Sequence, residues 1–373
     1  MSQLFRELSG AERLDWLRLW RSDNVGPITF RALLSRYGTA AAALEALPGL
    51  AKRGGRREFK AFPGDAAERE LAEVAAAGAR LIALCESDYP PLLARIEDAP
   101  PLVTLKGHPA LLRRPTVAIV GSRNCSANGA AFARRLAGEL GKAEWTVVSG
   151  LARGIDTAAH QGSLATGTAA VIAGGIDVVY PPENRDLQGE IAARGVVVAE
   201  MQFGAEPQAR SFVIRNRLIS GLARGVVLIE AGAKSGALHT ARFAAEQGRE
   251  VMAAPGSPLD PRSKGCNALI REGATLIEEA GQILEALSGL RRLDDPPLAL
   301  DLSGPPASSP GETELAKARI RIREKLSFEP VEVDELLRQC QITAPVALTV
   351  LLELELAGRI RRHAGGRVAA VAD

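Results

Sequence analysis

The feature that most constrains this chain is a series of short, unbroken apolar runs between residues 79 and 290. Thr116–Val120, Thr146–Ser149, Ala169–Ala173, Val196–Glu200, Val226–Ile229 and Val251–Ala253 are rich in Val, Ile and Ala and do not alternate polar with apolar. A strand with a polar residue at every second position keeps one face in water, whereas a continuous apolar strand is covered on both. Helical stretches such as Ala127–Leu140, Thr157–Leu164 and Leu238–Gln247 lie between the runs. This alternation predicts an α/β fold: an extended, Rossmann-like, doubly wound sheet, with ligands beyond the carboxyl ends of its strands.

The flanking regions have a different texture. Residues 1–78 read as a small helical domain, with helices Glu12–Trp20, Pro27–Tyr37 and Ala40–Leu47 and a basic stretch from Lys52 to Lys60. Turn signals Asn24-Val25-Gly26-Pro27 and Leu47-Pro48-Gly49-Leu50 bracket the helices. The pattern resembles helix-hairpin-helix or SAM-like modules, whose tight glycine turn can bring backbone N–H groups to a phosphate. A turn that serves packing alone is the other reading. Residues 79–290 form the central domain, and 291–311, rich in Pro, Ser and Gly, read as a linker. Residues 312–373 then give helix Leu315–Leu326, helix Val333–Gln339, a turn, helix Ala344–Ala357 and a terminal hairpin. That is the order of a C-terminal winged-helix domain.

Charge and composition exclude several classes. The 46 Lys and Arg against 44 Asp and Glu leave a net charge of +2 over 373 residues, and 46% of residues are hydrophobic. A disordered polyampholyte and a uniformly basic DNA coat are both ruled out. The four cysteines form no Cys-x-x-Cys pair and the four histidines no His-Glu-x-x-His, so neither a metal nor another cofactor is expected. The first twenty residues carry charges every few positions and contain no apolar core of a signal peptide. No apolar run approaches the roughly 20 residues that span a bilayer. The expectation is a cytoplasmic protein with reduced thiols and no membrane partner.

Five segments could carry chemistry, four of them at a strand end. Gly121-Ser122-Arg123 follows the Thr116–Val120 run and precedes a helix, placing a backbone turn, a hydroxyl and a guanidinium where a phosphate would sit. A tight turn with a surface arginine is the plainer alternative. Ser149-Gly-Leu-Ala-Arg-Gly-Ile-Asp156, continuing to His160, puts Arg153 toward an anion and Asp156 or Thr157 at a helix start. A Ser-His-Asp triad is not expected, because the nucleophile elbow Gly-x-Ser-x-Gly is missing. Gly174-Gly-Ile-Asp-Val-Val-Tyr180 builds a further loop, with Asp177 and Tyr180 read as structural. In the fourth, Phe212 stands beside Arg215, Asn216 and Arg217 just before a helix, pairing an aromatic face with guanidiniums for a stacked base and its phosphate. The fifth, Lys234-Ser235-Gly236, again joins a cation, a hydroxyl and a glycine at a helix start.

Local charge then decides between them. Residues 203–271 hold ten Lys and Arg against five acids, a net +5, and this segment is expected to track a polyanion. The C-terminal domain, residues 312–373, is neutral with ten of each sign. Its would-be recognition helix, Ala344–Ala357, has no Lys or Arg and carries Glu353 and Glu355, which suits protein docking or weak DNA contact better than a major groove.

Together these motifs resemble the bacterial DNA-processing protein A (DprA/Smf) family. The resemblance rests on Tyr89-Pro90, Pro100-Pro101-Leu102, Ile119-Val-Gly-Ser-Arg123, Ser149 through Asp156 with His160, Asp177-Val-Val-Tyr-Pro181, Arg215-Asn-Arg217 and Gly265-Cys-Asn267. It implies a non-enzymatic, single-stranded DNA-binding protein of natural transformation. Such proteins protect incoming strands, load the RecA recombinase and act as homodimers through the Rossmann-like domain. On that basis the phosphate pocket maps to Gly121, Ser122 and Arg123, with Phe212, Arg215, Asn216 and Arg217 beside it. The chain departs from the family at Val213-Ile214 and at Pro182. A nucleotide phosphoribohydrolase is a rival reading, but it needs Pro-Gly-Gly-x-Gly-Thr where this chain has Ala231-Gly-Ala-Lys-Ser-Gly236. A winged-helix transcription regulator is the other.

Overall fold

The computed structural model describes residues 5–289, 311–363 and 365–371. Four helices open the chain: α1 (Gly10–Arg21), α2 (Pro27–Tyr37), α3 (Ala40–Arg53) and α4 (Gly64–Ala76). Ser9 and Glu12 form a reciprocal capping box that satisfies orphan amides at the start of α1. Thr39 caps α3 through its hydroxyl alone, which accepts from the Ala42 N–H. Helix α3 runs six residues past the expected end at Leu47, straight through Pro48. Its buried stripe of Ala43, Leu44, Leu47, Leu50 and Ala51 continues beyond the proline, so packing outweighs the lost hydrogen bond. The second predicted glycine turn is therefore helix interior.

The central strands are β1 (Ala79–Ala83), β2 (Leu102–Gly107), β3 (Thr116–Gly121), β4 (Thr146–Ser149), β5 (Thr168–Val171), β6 (Val196–Ala199), β7 (Gly225–Ile229), β8 (Glu250–Ala253) and β9 (Thr275–Leu276). Helices α5 (Ala127–Lys142), α6 (Ile155–Ser163), α7 (Arg185–Arg194), α8 (Ala209–Gly221), α9 (Ala237–Glu246), α10 (Lys264–Arg271) and α11 (Ala280–Ser288) connect them. The sheet order is β1-β2-β6-β5-β4-β3-β7-β8-β9. Pairing is parallel from β6 to β9, and β1 and β2 add an antiparallel edge that the apolar runs do not announce. Both faces are covered, as continuous Val and Ile runs require. One core joins Val117, Ile119 and Val147 to Leu136 and Leu140 of α5, and another joins Ala170 and Val197 to Ile191 of α7.

Strand β3 pairs with β4 on one side and β7 on the other, so the strand order reverses direction there. Gly121 lies opposite Ile229 at the carboxyl end of that pair. A side-chain Cβ on Gly121 would stand 1.9 Å from the Ile229 carbonyl and 2.7 Å from Ile155. The glycine serves the closeness of β3, β7 and α6 rather than the approach of a ligand.

The C-terminal segment contains α12 (Glu312–Lys325), β10 (Val331–Glu332), α13 (Val333–Cys340), α14 (Ala344–Leu356), β11 (Ile360–His363) and β12 (Arg367–Ala370). The last two strands pair as the wing, with β10 added beside β12. Of the expected 291–311 linker only Gly311, the residue before α12, is among the described residues. By compactness, residues 5–7 and 70–289 form one unit, while residues 8–69 and 311–371 together form a second. The architecture is an α/β core accompanied by a helical N-terminal domain and a C-terminal winged helix.

Candidate nucleic-acid interface

A groove of about 920 Å³ opens at the carboxyl ends of the central strands, where the β3/β7 order reverses. This is the position an open doubly wound sheet offers to a ligand. The turn after β3 supplies Gly121, Ser122 and Arg123 to its lining, and the turn after β7 supplies Lys234, Ser235 and Gly236. Helix α8 supplies Phe212, Arg215 and Asn216. A deeper pocket of about 180 Å³ adjoins it, lined by Arg153, Gly174 and Tyr180 together with Arg123, Phe212 and Arg215. Loops far apart in sequence thus converge on one edge.

Its centre is an aromatic and cationic stack. The Arg123 guanidinium carbon stands 5.1 Å from the Phe212 ring centroid, and the Tyr180 ring lies 5.3 Å from the same ring at a tilt of 55°. Tyr180 is 46% exposed. Read as structural from sequence, it instead presents an aromatic face to the groove; its only signal was its place in a loop after a central strand. No carboxylate among the described residues forms a salt bridge with Arg123 or Lys234, so both cations are available to an anion. Arg153 and Arg262, at the margins, already pair with Glu183 at 2.6 Å and Asp260 at 2.8 Å.

The helix starts are more occupied than the sequence suggests. The Ser126 hydroxyl and N–H both donate to the Glu230 carboxylate, and Ser126 accepts from the Gly129 N–H at 2.9 Å. The α5 terminus expected to hold a phosphate therefore already holds an internal anion. Ala152 N–H likewise donates to Asp156 at 3.3 Å. The Ser122 hydroxyl accepts from Asn124 N–H, and Ser235 from Ala237 N–H, so both hydroxyls shape turns. What the groove offers a phosphate is chiefly side-chain cation.

The Arg-Asn-Arg stretch lies inside α8 rather than before a helix, and this separates its members. Residues two apart on a helix point about 200° apart. Asn216, one turn from Phe212, faces the groove and donates to the Gly236 carbonyl at 3.2 Å. Arg215 is buried, donating through one nitrogen to the carbonyls of Gly150 and Val171. Burial drops its pKa to about 10, Asp156 pulling it back up and the Arg123 charge adding to the fall. Arg217 points elsewhere, pairing with buried Glu200 and with Asp98 at 3.4 Å, and does not line the groove. Of the pair expected to clamp DNA, Arg215 reaches the groove lining as a buried, carbonyl-bound cation, and Arg217 lies away from it.

Beneath the groove lies a buried polar network. Burial raises the Asp156 carboxyl, opposed by Arg215 and by amide hydrogen bonds. His160 bonds Thr168 through Nδ1 at 2.9 Å and has no partner at Nε2. Burial and the Arg215 charge push its pKa down to about 3. No triad forms, since the Ser149 hydroxyl donates to the Ile119 carbonyl at 2.6 Å.

Comparison with known proteins places the chain. Residues 80–288 match the family described as DNA recombination-mediator protein A. Residues 10–73 match a DprA-like N-terminal HHH domain and residues 305–366 a DprA winged helix domain. The chain is 47% identical over 198 residues to DNA processing protein DprA of Streptococcus pneumoniae, covering 52% of this chain and 70% of that one. It is 30% identical over 395 residues to Protein Smf of Synechocystis, covering 96% and 99%. The X-ray structure of the pneumococcal protein is similar with a TM-score of 0.60 at 36% identity, over 72% of this chain and 95% of that one. DNA processing protein A from Helicobacter pylori, whose structure describes a single-stranded DNA binding mode, is similar with a TM-score of 0.52 at 29% identity, over 56% and 95%. With all three segments matched in order, this chain belongs to the DNA recombination-mediator protein A family.

Proposed function

We propose that this chain is a non-enzymatic, single-stranded DNA-binding recombination mediator of natural transformation. It protects incoming strands in the cytoplasm, loads RecA onto them, and works as a homodimer through the central domain. The observation that carries the reading is the Arg123–Phe212–Tyr180 stack inside a groove that also presents Lys234. Stacking on aromatic faces is sequence-tolerant and needs unpaired bases, while the neighbouring cations hold the backbone. A duplex hides its base faces and gains nothing from such a site. The single-stranded DNA binding mode described for the H. pylori relative supports the same ligand class. We assign the binding to residues 79–290, with the 1–78 and 312–373 domains as accessories.

The test is a gel shift with the full chain on matched single and double strands. Preference for the single strand is expected, together with faster RecA filament formation on strands coated by single-strand-binding protein. Equal affinity for both forms would remove the reading. Release of base from nucleoside monophosphates would replace it with a phosphoribohydrolase, and tighter binding to one duplex sequence with a transcription regulator.

A further inference from the structure

The second helix of a winged-helix motif earns a DNA-reading role by presenting a free face to the major groove. Helix α14 has no such face along much of its length. One stripe, Val346, Ala347, Val350, Leu351 and Leu354, packs into the winged domain's own core. A second stripe, Thr349, Glu353 and Leu356, follows spacings of four and three and so shares a helix face. It meets the N-terminal helical domain residue by residue. Arg36 of α2 donates to the Thr349 hydroxyl at 2.9 Å, and Arg53 of α3 donates to Glu353 at 2.7 Å. Arg319 of α12 takes the other Glu353 oxygen at 2.7 Å. The Glu353 side chain is 0% exposed between these two guanidiniums.

The third contact uses the hairpin turn itself. Asn24, in the turn whose sequence suggested phosphate binding, donates to the Leu356 carbonyl at 3.1 Å. That carbonyl lies in the last turn of α14, where backbone acceptors lack intrahelical partners. Gly54 shows how close the approach is. A Cβ there would stand 2.0 Å from the Glu353 carbonyl oxygen. Its φ of −70° and ψ of −9° suit any residue, so the glycine answers to α14 and not to its own backbone.

We infer that the outer face of α14 is the docking surface for the N-terminal helical domain of the same chain. The winged helix acts as a clasp that joins residues 8–69 to residues 311–371, and it does not read duplex DNA through α14. The clasp accounts for two sequence features at once: an acidic recognition helix, and a hairpin turn that caps a helix end.

The test is hydrogen exchange by mass spectrometry on the full chain carrying Gly54→Leu or Arg53→Glu. Leucine suits the α3 backbone but not the approach of α14, and the introduced carboxylate repels Glu353. Exchange over residues 40–54 and 344–357 is expected to rise at least fivefold in both variants, with the central strands unchanged. If Gly54→Leu also loses protection across α1, Arg53→Glu decides, since its side chain is partly exposed and changes charge without adding bulk against the α14 backbone. Unchanged exchange at 344–357 in Arg53→Glu would overturn the inference. So would a Glu353→Gln chain that binds duplex more tightly while its exchange stays as in the parent.

Discussion

At the scale of single residues, the groove depends on which cations remain uncommitted. Arg123 sits over Phe212 without a carboxylate partner among the described residues, whereas Arg215 and Arg217 are committed to carbonyls and to Glu200. Arg123→Ala is therefore expected to weaken single-strand binding. It should also reduce the slope of log K against log salt by about 0.7, the value of one phosphate contact on a single strand. A salt-resolved titration checks this, and an unchanged slope would take Arg123 off the phosphate. His160 makes a second residue-scale claim. Its native pKa of about 3 lies below the ordinary 6.5 of an unfolded chain, so the unfolded state binds the extra proton between those values. Stability from this group is complete above pH 6.5 and is lost as pH falls toward 3, by about 2 kcal/mol at pH 5. Denaturant unfolding between pH 7 and 5 should show that loss. His160→Asn, although less stable at pH 7, should lack this part of the slope.

At the scale of elements, much was legible in the sequence because strand burial leaves a strong mark. All six continuous apolar runs became strands, since two-sided burial admits few polar residues. The β1 and β2 edge was not legible: an antiparallel edge lacks the βα repetition that identified the others. Helix α8 shows why part of the site was misread. Motif spacing put Phe212 and both arginines together, but placing the stretch within a helix turns Arg215 and Arg217 to different faces. The two faces of α8 predict opposite phenotypes. Phe212→Ala should cost about 1–3 kcal/mol of single-strand affinity through lost stacking, with melting little changed. Arg217→Met should leave the salt slope intact and lower stability by about 3 kcal/mol, because buried Glu200 would lose the Arg217 guanidinium it pairs with. Titration and thermal melting of the same two variants separate the roles, and a shared phenotype would contradict this division of α8.

At the scale of the whole molecule, net charge is a poor guide until the fold distributes it. The +5 of residues 203–271 suggested a continuous basic track, yet its members scatter. Arg215, Arg217 and Arg249 are buried, Arg242 and Arg262 pair with Glu246 and Asp260, and Lys264 lines a different cleft, beside α9 and α10. Of the ten, Lys234 is left as the unpaired cation lining the groove, joined there by Arg123 from outside the segment. A chain with net charge +2 also gains little long-range attraction for a polyanion. Two or three phosphate contacts per chain, counting Arg153 if it leaves Glu183, then give a salt slope of about −1.4 to −2.1 on a single strand. Affinity should therefore survive moderate salt, with stacking on Phe212 and Tyr180 providing the rest. A titration of the full chain from 50 to 300 mM salt on a short oligonucleotide that holds one protomer measures the slope directly. A value steeper than about −4 would require six or more contacts, and would return the strand to the wider basic surface that the sequence first suggested.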